Sequence, residues 1–252
     1  MLSITSRKPP FNVQNPYREV RPTTSKIIFL SFEGSVTEEE YFEIVSKIFD
    51  KIKTKIQFIS VAEDAVNTNY KFRTPEQKLL LSKSRPKQLL ERIEQFKAEK
   101  EEIYQFSKYP EDEFWIVTDV DNNTSSIWIN EWNDTIKKCD EKRYGYAISN
   151  PFFEIWLLLH HLEATEEDKS FAVTDNQPYK PTSHFRNRLR RDAKAPMKKD
   201  KHISSKHYNE LKIRQAIERA RTLHINCNDK WPKYFATTVY ILLEKIIDMI
   251  PE

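Results

Sequence analysis

The chain has 252 residues, 38% apolar and 31% charged, with a formal net charge of +3. That length can bury a sizeable core as one large domain or one domain with an extension, and no apolar run approaches the ~20 residues that span a bilayer. Only two glycines occur, Gly34 and Gly145, so neither a Walker A loop nor a G-x-G-x-x-G fingerprint can be spelled, and P-loop nucleotide hydrolysis is excluded.

The first 25 residues contain Pro9, Pro10, Pro16 and Pro22 with little apolar periodicity. They read as an extended arm, either packed across the core or mobile. Met1 to Lys8 lacks the apolar stretch of a signal peptide. Cys139 and Cys227 lie far apart at no metal-ligand spacing, so a reduced, cytoplasmic setting is the expectation.

Lys26–Phe32 predicts a first strand, continuously apolar like a central parallel strand. Thr37-Glu38-Glu39-Glu40 spells a capping box, and Tyr41, Ile44, Val45, Ile48 and Phe49 follow at helical spacing. Ile56–Ala62 predicts a second strand and 63–75 a polar loop. Residues 76–106 are helical in pattern with a break at Pro86. Glu113–Thr118 predicts a third strand, and Trp128, Trp132 and Ile136 mark a helix beginning near Ser125. Tyr144–Ser149 predicts a fourth strand. Asn150 then reads as an N-cap, with Pro151 opening an almost wholly apolar helix to Leu162. Tyr208–Leu223 and Tyr234–Ile250 predict two amphipathic helices. Strands alternating with helices imply an α/β fold, a mostly parallel sheet with helices on both faces. Residues 26–162 form its core, and 163–252 complete the same domain as a helical C-terminal extension.

Three carboxylates stand where strands end: Glu33 after the first, and Asp119 and Asp121 after the third. Ligands of open α/β sheets bind beyond the carboxyl ends of the strands, and carboxylate oxygens suit Mg²⁺ or Mn²⁺. Alternate strand residues face one side, so Asp119 and Asp121 can converge on one ion. Gly34, directly after Glu33, permits a tight turn beside an ion or phosphate. Glu154 is the one charged residue of the apolar helix before His160-His161. It reads either as a member of the same acidic pocket or as an anion favoured by the helix dipole. Glu39 and Glu40 read as helix-start residues only.

Between Arg186 and Lys206 stand nine Lys or Arg and two Asp, so the rest of the chain is net negative. Arg186, Arg188, Arg190, Arg191, Lys198, Lys199 and Lys206 form either an electrostatic footprint for phosphates or a solvated loop. Tyr179, Phe185 and Tyr208 flank this run and either stack on bases or pack in the core. The six histidines offer no H-E-x-x-H and no zinc spacing with cysteine. His160 reads as a helix-end histidine on the dipole or as a border of the pocket.

Glu33-Gly34-x-x-Thr37-Glu38-x-x-Tyr41-Phe42, Asp119-x-Asp121 and Ser149-Asn150-Pro151-x-Phe153-Glu154-x-Trp156-Leu157-Leu158-Leu159-His160, in that order, resemble the RloB family. Trp231-Pro232-x-x-x-Ala236-Thr237-Thr238-Val239-Tyr240 is similar to its final helix. The resemblance implies a Toprim-like, Rossmann-type sheet and a place among prokaryotic defence loci, often beside an ATPase. It implies that Glu33 is a general acid/base or metal ligand, that Asp119 and Asp121 hold Mg²⁺ (or Mn²⁺), and that Glu154 is an acidic position of the family's own. The chain departs in one place: Asn122-Asn123 stand where many relatives carry a third acid, which implies weaker metal affinity or an altered Mg²⁺/Mn²⁺ preference.

The expectation is metal-dependent cleavage of nucleic acid, DNA or RNA including tRNA, with Glu33, Asp119 and Asp121 catalytic and Glu154 a further metal position. Lys198, Lys199 and Lys206 are the basic residues expected to supply a catalytic cation. The alternative is a non-catalytic Toprim-like binding or sensor subunit of an ATPase-containing defence complex. No membrane partner is expected, and the apolar terminal helices leave room for a homo-oligomer. A haloacid-type phosphotransferase would carry its D-x-D on the first core strand, which here ends in Glu33.

Overall fold

Ile27–Phe32 are all buried, as a run without polar alternation must be, and form β1. The computed structural model describes residues 27–34, 36–50, 57–60, 85–120, 126–173, 183–198, 201–224 and 230–248. After β1 come α1 (Thr37–Asp50), β2 (Gln57–Ser60), α2 (Pro86–Tyr104), β3 (Glu113–Asp119), α3 (Ser126–Lys142) and β4 (Gly145–Asn150). The C-terminal part adds α4 (Glu154–Leu159), α5 (Glu166–Lys169), α6 (His184–Arg191), α7 (Glu210–Leu223), β5 (Ala236–Thr237) and α8 (Val239–Ile247). The expected arm 1–25, the loop 63–75, the helical pattern of 76–84, and the ends of the second strand at 56, 61 and 62 lie outside the described residues.

The sheet order is β2-β1-β3-β4-β5. The first four strands are parallel, and β5 pairs antiparallel with β4. From β1 the chain first moves outward to β2, then returns past β1 to β3 and on to β4. The order therefore reverses between β1 and β3, where a crevice opens at the strands' carboxyl ends.

Aromatic residues fill the core. Phe29 meets Phe96 and Tyr104 from α2, Phe106 just beyond it, and Phe114 from β3, with ring centroids 4.9 to 5.4 Å away. A second group joins Tyr41 and Phe42 of α1 to Phe153, Trp156, His160 and Tyr208. Pro86 opens α2 at a position where its missing N–H costs nothing. Gly145 lies flat against Trp115, whose indole carbon would be 2.1 Å from a Cβ there.

Three expectations are corrected. Asn150 is the last residue of β4 and does not cap a helix. Its amide donates to the carbonyls of Val173 and Pro232, and its side-chain oxygen accepts from Val173 N–H. With those bonds satisfied it ties the strand end to the C-terminal part, and the helix is the shorter Glu154–Leu159. Tyr234–Ile250 divides into β5 and α8, because Thr238 both donates its N–H to Ile148 O and accepts Ile148 N–H on its hydroxyl. The basic run is not all loop: its first residues form α6, which buries Phe185 and Leu189. Among the described residues no helix is long and apolar enough to cross a membrane.

Candidate functional site

Glu33 follows β1 at the edge of the crevice. Its N–H donates to Val117 O at 2.9 Å, continuing the ladder one residue past the strand. Its carboxylate then turns across β3: Oε2 accepts from Thr118 Oγ1 at 2.6 Å and from Asp119 N–H at 2.9 Å. Asp119 is the last residue of β3. The Glu33 carboxylate is thus fixed on the main chain of Asp119, at the point where strand order reverses. On the other side, Phe32 O accepts from Nη1 of the buried Arg92 at 2.8 Å. Burial pushes that guanidinium down to about 10.

Glu38, in the first turn of α1, joins this pocket. Its carboxylate lies over Gly34, where a Cβ would stand 2.1 Å from Oε2 and 2.5 Å from Oε1. A side chain here would displace the Glu38 carboxylate, and no positive φ calls for glycine. Burial holds the Glu38 carboxyl above its ordinary value; its own backbone N–H opposes that, the Glu154 charge adds to it, and Lys201 and the Gly34 N–H oppose it. The signal for Glu38 was its spacing from Gly34, whose missing side chain makes the room.

Glu154 opens α4, so it does sit at a helix start. Its electrostatic contact with Glu38 also places it by the acidic pocket, and it accepts from Arg186 Nε at 2.9 Å. Asp121, Asn122 and Asn123 lie outside the described residues. Among the described residues no three His, Cys, Asp or Glu side chains form a metal cage. The donor chemistry nevertheless fits Mg²⁺, which takes one or two carboxylates and completes its shell with water and substrate phosphate.

The basic residues divide. Arg188 faces inward, paired with the fully buried Asp168 and, at 3.2 Å, with Asp192. Asp168 also meets His184 Nε2 at 2.7 Å. Arg188 therefore holds α6 to α5 and is not presented to a ligand. Arg186 occupies Glu154. Arg190, Arg191, Lys198 and Lys206 are exposed, and Lys199 lies outside the described residues. Phe185 and Tyr208 pack in the core at 2% and 6% exposure, and Tyr179 lies outside the described residues.

His160 stands at the C-terminal end of α4, as the helix-end reading has it, but it is fully buried. Its Nδ1–H donates to Trp156 O at 2.8 Å, a partner that can only accept, so Nε2 receives the Tyr41 hydroxyl at 3.0 Å. Burial pushes this imidazole down to about 3, so it is neutral and braces α1 against α4. The capping box at Thr37 is also reassigned. Thr37 Oγ1 donates to Lys201 O at 2.9 Å, and Glu40 accepts from Ile203 N–H at 2.7 Å and pairs with His202 Nδ1 at 2.5 Å. These side chains reach outward because a distant segment supplies partners that the helix alone does not.

No curated protein and no solved structure gave a match to the chain. A family model described as RloB-like protein matches residues 28–246, a span that takes in the sheet, the acidic crevice and the C-terminal helices. The chain belongs to the RloB-like family.

Proposed function

We propose that the protein hydrolyses phosphodiester bonds of nucleic acid with Mg²⁺ or Mn²⁺, in prokaryotic anti-phage defence. One observation carries the reading: Glu33 and Asp119 are locked together at the strand ends flanking the crevice. Glu33 and Asp119, with Asp121, would hold the ion, which when bound polarises a phosphate and stabilises a leaving oxygen. Thr118 and the Asp119 N–H orient Glu33, leaving its carboxylate directed over the end of β3 as a proton acceptor. Gly34 leaves the room in which the Glu38 carboxylate comes up beside Glu33. Exposed Arg190, Arg191, Lys198 and Lys206 would hold the phosphate backbone, so binding weakens steeply with salt. The defence setting rests on the family resemblance, as does a partner ATPase.

A second reading, a non-catalytic binding or sensor subunit, is favoured by the cations already at the acids, Arg186 on Glu154 and Lys201 beside Glu38. The test is incubation with plasmid, single-stranded DNA and total tRNA in Mg²⁺ or Mn²⁺, beside a Glu33→Ala/Asp119→Ala double variant. Metal-dependent cutting lost in the variant supports hydrolysis and identifies the substrate class. Metal and nucleic-acid binding without cutting by the native chain, alone or with its partner ATPase, supports the sensor.

A further inference from the structure

Three consecutive residues, Lys201, His202 and Ile203, are strapped onto the first turn of α1. Lys201 O accepts from Thr37 Oγ1 at 2.9 Å, His202 Nδ1 meets Glu40 Oε1 at 2.5 Å, and Ile203 N–H donates to Glu40 Oε2 at 2.7 Å. Each bond crosses more than 160 positions of sequence. The strap is closed on its other side by Lys198 N–H donating to His202 O at 2.8 Å. Lys201 has φ 69, the left-handed region that side chains rarely adopt. A conformation of that kind is costly and persists where the surroundings over-determine it. Here the strap imposes it on a lysine whose side chain needs no partner in the core and is exposed.

We propose that Lys201 is the phosphate-binding cation of the acidic crevice, delivered there by the Thr37/Glu40 strap. This rests on the phosphodiester reading above and names a residue for it. The Lys201 carbonyl is held on Thr37, the neighbour of Glu38, whose carboxylate lies on Gly34 next to Glu33, and the lysine's charge favours the ionised form of that carboxyl. Lys198 and Lys206 are exposed on the same segment, but it is Lys201 whose carbonyl is bonded into the first turn of α1, on the residue next to Glu38. A phosphate entering beside Glu33 and Asp119 brings negative charge into a pocket rich in carboxylates. A cation held at its rim offsets that repulsion, and lysine, a flexible point charge, can shift from carboxylate to phosphate without moving the backbone. The strap explains why Thr37 and Glu40 face outward: they set where Lys201 emerges.

The full chain tests this with Lys201→Ala, Lys201→Arg and Glu40→Ala, beside Lys87→Ala on the exposed face of α2 as a control. Lys201→Ala is expected to lower kcat about 100-fold, the loss typical of removing one charge-stabilising donor, with KM changed less than about threefold. Lys201→Arg should recover part of the rate. Glu40→Ala, which frees the strap while sparing the lysine, should lower kcat about tenfold. Mn²⁺ affinity of Lys201→Ala should be unchanged or tighter; loss of Mn²⁺ binding would mean a structural role and overturn the proposal. A second measurement does not need turnover: binding of a fluorescent single-stranded oligonucleotide in Ca²⁺ across a salt series. Lys201→Ala should weaken binding about fivefold and reduce the salt slope by about 0.7, one phosphate contact on a single strand. Lys201→Ala indistinguishable from Lys87→Ala in both assays overturns the assignment. A native chain that never cuts, yet shows the Lys201 effect in the binding series, overturns hydrolysis and leaves the phosphate-binding lysine standing.

Discussion

Gly34 is where a single atom decides the crevice. A methyl there would overlap the Glu38 carboxylate, which has Gly34 on one side and its own helix on the other. Gly34→Ala is expected to cost about 1–3 kcal/mol by overpacking and to weaken Mn²⁺ binding as Glu38 is displaced. Thermal unfolding and a Mn²⁺ titration check this; a variant native in both would show that the carboxylate relocates freely. Thr118→Val removes one of two donors to Glu33 Oε2 and should cost about 1–2 kcal/mol, discounted for partial exposure. Its larger effect is expected on activity, since Glu33 then keeps only the Asp119 N–H. Glu33 and Asp119 were legible in the sequence because an apolar run ending in an acid marks both strand and site. Thr37 as a cap and Glu40 as a helix-start residue only were incomplete readings, because their partners, residues 201–203, are set by packing that no local pattern records.

At the level of elements, the docking of α6 depends on one buried acid. Asp168 is fully buried, with Arg188, His184 and the Thr165 N–H around it. Asp168→Asn leaves Arg188 with only the exposed Asp192 as counter-charge and should cost about 3 kcal/mol. Limited proteolysis is expected to open the chain between 183 and 198 first, because α6 is held by this cluster and by Phe185 and Leu189. Arg190→Ala, on the exposed side of the same helix, should change stability by less than about 0.5 kcal/mol while lowering affinity for nucleic acid. Equal destabilisation by the two would contradict the division of this helix into holding and presenting arginines. A basic run alone could not reveal that division, since inward and outward arginines are the same letter.

For the molecule as a whole, histidines set the acid limit of stability. His160 is pushed down to about 3 and His161 to about 4, in both cases chiefly by burial, and for His161 next by Lys212. Each is neutral in the fold while the unfolded chain takes up a proton near pH 6.5. Their contribution is therefore fully present above about pH 6.5 and lost as pH falls below it, since the unfolded state binds more protons. His160 alone should cost about 2 kcal/mol by pH 5. Glu38, held above its ordinary value, works in the opposite direction. Urea unfolding of the native chain and of His160→Gln between pH 7.5 and 5 separates them. The native chain should lose close to one proton's slope more, about 1.4 kcal/mol per pH unit, and parallel slopes would refute the buried neutral imidazole.

The sequence by itself determined the α/β class, the boundaries of β1 and β3 to within a residue, the start of α1, and the acids at the strand ends. Each follows from local periodicity and from which residue types terminate a buried strand. Only the tertiary structure decided that β1 and β3 are neighbours and that Glu33 bonds across to Asp119. It also decided that Asn150 ties β4 to residues 173 and 232, and that residues 201–203 are bonded to the first turn of α1. Those relations join residues 23 to 164 positions apart. Their energies come from hydrogen bonds and burial that exist only once the sheet has assembled, so no stretch of chain carries them alone.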